Sequence, residues 1–316
     1  MPRTDVDPEP TAADWPPLPY AEWADTRETL QRWTQIVGKT RLALEPMVNH
    51  WWQVPFYVSA RGLTTSAMPC GARSLEVEFD FLAQQLEIRA SDGGRRALPL
   101  AARSVADFYA EYESALAALG VPAHIWPVPV EMADALPFAE DREHAAYDPE
   151  AAQRFWRVLI QADRVLRAFR ARFLGKSSPV HFFWGGFDLA VTRFSGRPAP
   201  PHPGGIPNVG DWVMREAYSH EVSSAGFWPG NAQSPAAAFY SYAYPTPPGF
   251  GEAPVRPAAA FWSSEMGEFL LPYEAARTAP DPDAAILGFL ESTYEAAADR
   301  AHWDRLALER SGHPAS

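Results

Sequence analysis

The sequence predicts an α+β protein of two related helix / antiparallel-strand / helix units, with a long irregular loop inserted in the second. Three observations predict it. Residues 49–66, "NHWWQVPFYVSARGLTTS", resemble residues 180–196, "VHFFWGGFDLAVTRFSG", when His50 is set against His181 and Phe56 against Phe187. Each segment reads as a strand, a tight break and a second strand, and each follows an apolar stretch of helical period. Between positions 195 and 236 lie about forty residues without regular periodicity, and loops of that length inside a domain are uncommon and often functional.

The elements follow in order. Residues 1–14 are acidic and proline-rich, without an apolar core, and read as a disordered tail. The first unit spans residues 15–124. Its opening helix, over residues 22–37, places Leu30, Trp33 and Val37 on one face. "SLEVEFDF" and "QLEIRAS" alternate as strands, and "DGG" turns the chain. A helix follows from Ser104, which with Asp107 forms a cap-like start, to Gly120. Residues 125–147 are rich in proline and read as a linker. The second unit covers residues 148–311. Asp148 and Pro149 cap a helix in which Phe155, Leu159, Ala162, Leu166, Phe169 and Phe173 repeat every three or four positions. "AAAFYSYAYP" and "GEFLLPY" are the later strands, and a helix begins at Pro282. Residues 196–235 form the functional loop, and residues 312–316 a second tail.

Composition bounds the function. The chain has 316 residues, 47% apolar content, twelve tryptophans and a net charge of −12. That supports a large core, and the aromatic content suits pocket walls. The charge opposes nucleic-acid binding, which needs cations against phosphates. Cys70 is the single cysteine, so neither an internal disulfide nor a cysteine zinc site is available. No run reaches membrane-spanning length. The expectation is a cytoplasmic protein that takes a small-molecule ligand, with no nucleic-acid or membrane partner.

Familiar motifs fail at single positions. "VGKT" lacks the earlier glycine of a phosphate loop, since Trp33 stands there. "HEVSS" lacks the second histidine of a zinc-protease helix, since Ser224 stands there. No G-x-S-x-G elbow occurs.

Several residues carry chemistry in principle. His50 and His181 sit beside aromatic pairs at matching places. His220 adjoins Glu221 and lies near Glu216, while His202 lies in a proline-stiffened loop. Asp188 interrupts an apolar strand, and a buried carboxylate needs a partner. His181, His220, Glu221 and Asp188 are the expected catalytic groups. Histidine titrates near neutral pH and suits acid–base work. His202, His220 and Glu216 supply ligands suited to a divalent metal, the one cofactor entertained. Arg61 with Thr64 and Thr65, and Arg193 with Ser195, suit an anionic group. His50 and Arg215 belong to the same ligand-binding set, with Trp184 and Trp228 as walls. Each of these residues also has a structural reading: a hydrogen-bonded histidine, an ion pair, a core aromatic.

The segments "WPPLPYAEWADTRETLQRWTQIVGKTRLALEPMVNHWWQVPFYVSARGLTTS", "SPVHFFWGGFDLAVTRFSGRPAPPHPGG" and "DWVMREAYSHEVSSAGFWPG" resemble a bacterial family known only as a domain of unknown function. The resemblance covers nearly the whole chain and departs at Gln31, where the family carries histidine. It implies no activity, cofactor or site residue. The residues themselves lead to a small-molecule enzyme, with its site between the halves under the 196–235 loop. A non-catalytic binding module and an oligomer-forming scaffold are the alternatives, and the sequence fixes no oligomeric state.

Overall fold

A computed structural model describes residues 11–133 and 135–310. The tails expected at residues 1–14 and 312–316 lie largely outside that range, although Ala12–Asp14 forms a 3-10 turn. The first half runs α1 (Ala24–Leu44), β1 (Tyr57–Val58), β2 (Gly62–Thr64), β3 (Met68–Cys70), β4 (Arg73–Asp80), β5 (Gln85–Ala90), β6 (Arg95–Pro99) and α2 (Val105–Ala118). The second runs α3 (Pro149–Ala171), β7 (His181–Phe183), β8 (Asp188–Pro198), α4 (Asp211–Ala217), β9 (His220–Trp228) and β10 (Ala238–Tyr244). It continues with β11 (Phe261–Ser263), β12 (Glu268–Pro272), α5 (Tyr273–Arg277), α6 (Pro282–Arg300) and α7 (Arg305–Leu308).

The class is α+β, with two six-stranded antiparallel sheets. The first runs β1-β2-β4-β5-β6 with β3 on β4; the second runs β11-β12-β10-β9-β8-β7. The caps follow local chemistry. The Ser104 hydroxyl accepts from the Asp107 N–H, and Asp148 and Asp281 cap α3 and α6 from positions just before a proline. Gly120 takes a left-handed φ of 65° just past α2, a conformation glycine adopts without strain.

Each half contributes six strands, but α4 interrupts those of the second. The match of His50 to His181 does not superpose equivalent positions, however. His50 lies in a 3-10 turn with φ 58°, whereas His181 begins β7. The sheets meet where Phe56 and Phe182 exchange both backbone hydrogen bonds, 2.8 and 2.7 Å long, in an antiparallel bridge. Trp33 stacks on Phe108 in the first half, and Phe155 stacks on Phe187 in the second. These rings belong to one continuous core.

Within residues 196–235 the chain is more regular than its sequence suggests. It completes β8, forms α4 and then lays β9 between β8 and β10. Residues 125–133 cross α1 as an extended arm. Gln35 grips this arm by donating to the Val130 carbonyl at 2.9 Å and accepting from its N–H at 2.8 Å. Among the described residues no helix is long and apolar enough to cross a membrane.

Candidate functional site

The second sheet covers one face with α3 and α6 and leaves the other open. Strand alternation sorts β8. Leu189, Val191 and Arg193 point to the helices, while Asp188, Ala190 and Thr192 point away. Ser224 on β9 and Tyr240 and Tyr242 on β10 join that open side. Above it lies a cavity of about 610 Å³, within the range that holds a small molecule. Its other walls are the C-terminal half of α1, the 50–54 turn, the arm at 124–131 and the α4 insertion.

Tryptophans shape the walls. The Trp184 indole donates to the Val54 carbonyl at 2.9 Å. Its ring lies on α1 at Gly38, where an added Cβ would sit 2.3 Å from the indole. The glycine of "VGKT" therefore permits a helix–tryptophan contact. Trp51 donates to the Val213 carbonyl at 2.9 Å and meets Trp212 edge-on at 5.2 Å. These contacts hold α4 over the cavity. His50 supports the same roof: its Nδ1 donates to the Ala217 carbonyl at 3.1 Å, and its N–H donates to Glu216. With Nδ1 protonated, Nε2 accepts from the Lys176 ammonium at 2.6 Å. Burial and the Lys176 charge hold this imidazole below its ordinary pKa.

Two carboxyl groups flank the Gly185–Gly186 turn. A Cβ at Gly185 would lie 2.1 Å from Glu131 Oε1, and one at Gly186 would lie 2.8 Å from Asp188 Oδ1. Only glycines leave room for both acids. Asp188 accepts from the Tyr240 hydroxyl. Glu131 has a left-handed φ of 59°, and its N–H donates to the Pro207 carbonyl at 2.9 Å. Its side chain is exposed and faces the cavity, whereas Asp188 is half-buried. Desolvation pushes Asp188 up to about 6; partial desolvation by the cavity walls, with the nearby Asp188 charge, pushes Glu131 up to about 7. Glu268, behind Tyr240 and Tyr242, also rises to about 7, through burial and Asp188. Among the described residues Glu131 has no hydrogen-bond donor, and neither Glu131 nor Asp188 has a basic partner.

Polar groups continue across the sheet. The Tyr218 and Tyr242 hydroxyls lie 2.7 Å apart, and the Thr192 and Ser224 hydroxyls 2.9 Å apart. At another wall stands Lys39, only 4% exposed. Its ammonium lies 4.8 Å from the Trp126 ring centre and 5.9 Å from that of Trp184. Among the described residues it forms no ion pair or hydrogen bond. Burial lowers it to about 8.

The residues singled out from sequence divide sharply. His50, Trp184 and Asp188 line the cavity. His181 shares the sheet's open side but is buried under Tyr57 and Phe183, with both ring nitrogens unpartnered. Burial, helped by Arg41 and Arg170, drops it to about 3, a neutral ring away from the cavity. Arg193 points the other way: its guanidinium stacks 3.4 Å from the Phe169 ring centre, near Glu291. Arg61 pairs with Asp80 on the first sheet, where Thr64 bonds Glu76 and Thr65 bonds the backbone. His181, Arg193, Arg61, Thr64 and Thr65 do not line this cavity. Glu221 is bound by Arg197 and Ser195 on the opposite side of β9. Arg215 is exposed on α4, and Trp228 lines a separate recess.

The expected metal set does not assemble. His202 stacks on Tyr218 and accepts from the Gly204 N–H at 3.0 Å. His220 lies edge-on to His50 and contacts the Ser219 hydroxyl. Glu216 is engaged by the His50 backbone. No group of three or more His, Cys, Asp or Glu suited to a metal occurs among the described residues.

Sequence reasoning missed Glu131, Lys39 and the tyrosines. The alternating "YSYAY" carried a usable signal: tyrosines at every second strand position share one side. Glu131 gave none, because a tertiary clamp places it.

No curated protein and no solved structure matches this chain. A family match does extend over residues 15–310, from Trp15 on the core to the strand-like end after α7. It takes in both sheets, the arm that carries Glu131 and the α4 roof, so the chain belongs to DUF5996, a family of unknown function.

Proposed function

We propose that the cavity is the active site of an enzyme that moves a proton on a small, largely apolar molecule. The observation that carries this is the Glu131–Asp188 pair, two carboxyl groups beside one glycine turn in a tryptophan-walled cavity without a basic partner. Carboxyl pairs held in unlike settings divide acid and base roles. Asp188, steadied by the Tyr240 hydroxyl and titrating lower, is the base; Glu131, titrating higher, holds the proton near neutral pH. The two titrate as a coupled pair. Lys39 and the Thr192–Ser224 pair supply further polar contacts. The scheme uses no metal and no arginine clamp.

The test incubates the full chain with a metabolite extract and follows depletion and product by mass spectrometry. Glu131→Gln and Asp188→Asn should each slow a conversion by about 10²- to 10⁴-fold, the usual size of an acid–base contribution. Conversion unchanged in both folded variants would remove the pair from the chemistry. A second reading is a binding module, favoured by the tyrosine hydroxyls already engaged with one another. Its signature is a metabolite retained by the protein and never converted.

A further inference from the structure

The cavity holds polar groups of both signs that do not satisfy one another. Lys39 pairs with neither Glu131 nor Asp188, although all three line the same space. Lys39 is buried and Asp188 half-buried, and a charge drawn out of water without a partner is unfavourable, so an ion pair across the cavity would relieve both. The side chains are instead pinned apart. The Trp126 and Trp184 faces receive the Lys39 ammonium, while Gln35 at Val130, Pro207 at the Glu131 N–H and Asn208 at the Met132 carbonyl fix the backbone around Glu131. The missing counter-charges are thus left for a ligand.

We propose that this ligand is an organic amine, bound as its cation, with its ammonium head between Glu131 and Asp188 and its aromatic or alicyclic body against the tryptophans. The reading rests on this cavity being the ligand site, but it requires no chemical step. Three features support it. The acids attract a cation and repel an anion. The surrounding π faces bind cations, as Trp126 already does with Lys39. Lys39 keeps a second cation out of its own end and offers a donor to an acceptor on the ligand's far side. The amine would also relieve the acids. Both are raised by their surroundings, so a bound cation near pH 7 should release protons.

The test uses three probes with one ring system: tryptamine as the cation, indole-3-propionate as the anion and 3-methylindole as the neutral body. Calorimetric titration of the full chain at pH 8 should give tryptamine at least tenfold tighter binding than either other probe. Its affinity should fall at least tenfold at pH 5, where both acids carry protons. It should also fall at least tenfold at pH 8 in Glu131→Gln, and equally in Asp188→Asn, which guards against a folding defect in either one. Calorimetry near pH 7 in two buffers of unlike ionisation enthalpy should detect proton release. If indole-3-propionate or 3-methylindole binds as tightly as tryptamine, the amine class is overturned while the cavity stands as the ligand site. If tryptamine fails to bind, or binds equally at both pH values and in both variants, the inference is overturned. The metabolite-conversion experiment then judges the acid–base reading on its own.

Discussion

The two sheets are both antiparallel and six-stranded but treat their acids in opposite ways. On the first, every prominent carboxylate has found a partner. Arg61 holds Asp80, Arg89 and Ser59 hold Glu78, and Arg95 grips Glu87 with two bonds of 2.8 Å. Around the open side of the second, Asp188 has a tyrosine, and Glu131 and Glu268 have no basic partner among the described residues. The shifts follow. Bonds from Arg95 lower Glu87; Asp80 is lowered despite its burial, through Arg61 and two backbone N–H groups. Asp188 and Glu131 rise to about 6 and about 7. One polar surface is complete within the chain and serves stability. The other leaves its acids without a basic partner among the described residues.

The largest contrast is expected from two aspartates. Asp80→Ala removes a 3%-exposed carboxylate that accepts from Arg61 and from the Leu82 and Ala83 N–H groups. Urea denaturation should show a loss of about 2 kcal/mol. Asp188→Asn should lose nothing at pH 8, because it removes an unfavourable buried charge and keeps an acceptor for Tyr240. An equal loss in both would break the comparison.

Next in size is the pH dependence. A carboxyl group with a raised folded-state pKa contributes stability that is fully present below its unfolded value, near 4, and lost as pH rises through the folded value. For Asp188 and Glu131 that window runs from about 4 to about 7. Asp80 and Glu87 do the reverse: their contribution is present above their unfolded values and lost as pH falls through their lowered ones. Relative to the parent, Glu131→Gln/Asp188→Asn should therefore be more stable at pH 8 than at pH 5. A difference that is flat, or of opposite sign, would refute the assignment. The smallest effect belongs to Glu87→Gln. Its partner Arg95 is 66% exposed, so solvent screens the pair and the loss should be roughly 0.5–1 kcal/mol. A larger cost would mean that the first sheet depends on its ion pairs more than exposed pairs allow.

What the sequence disclosed divides along the range of the forces involved. Helix caps at Ser104 and Asp148, and the helix start at Pro282, were legible because such signals are local. The core stripe of α3 was legible because it repeats within one element. Asp188 was legible as an acid in an apolar strand. β9 was hidden, because Ser223, Ser224 and Gly226 dilute its pattern although all pair in register with β8 and β10. Gly226 has a spatial cause: a Cβ there would come 2.1 Å from the Leu189 carbonyl. Glu131 was hidden more deeply. Its position comes from Gln35, ninety-odd residues earlier, and from Pro207 on the insertion. Arg193 misled for the same reason. A strand arginine beside small hydroxyls suits an anion, but strand alternation turned this one onto Phe169 and Tyr294.

The indoles around the cavity have an optical consequence. Trp51, Trp52, Trp126, Trp184 and Trp212 are five of the chain's twelve tryptophans, and all face one space. Trp212 is 64% exposed at the roof, whereas Trp184 is 6% exposed against α1. Indole emission shifts with the polarity around the ring. An occupant would change the surroundings of both at once, so the cavity reports its own filling by intrinsic fluorescence, without a dye or a known reaction.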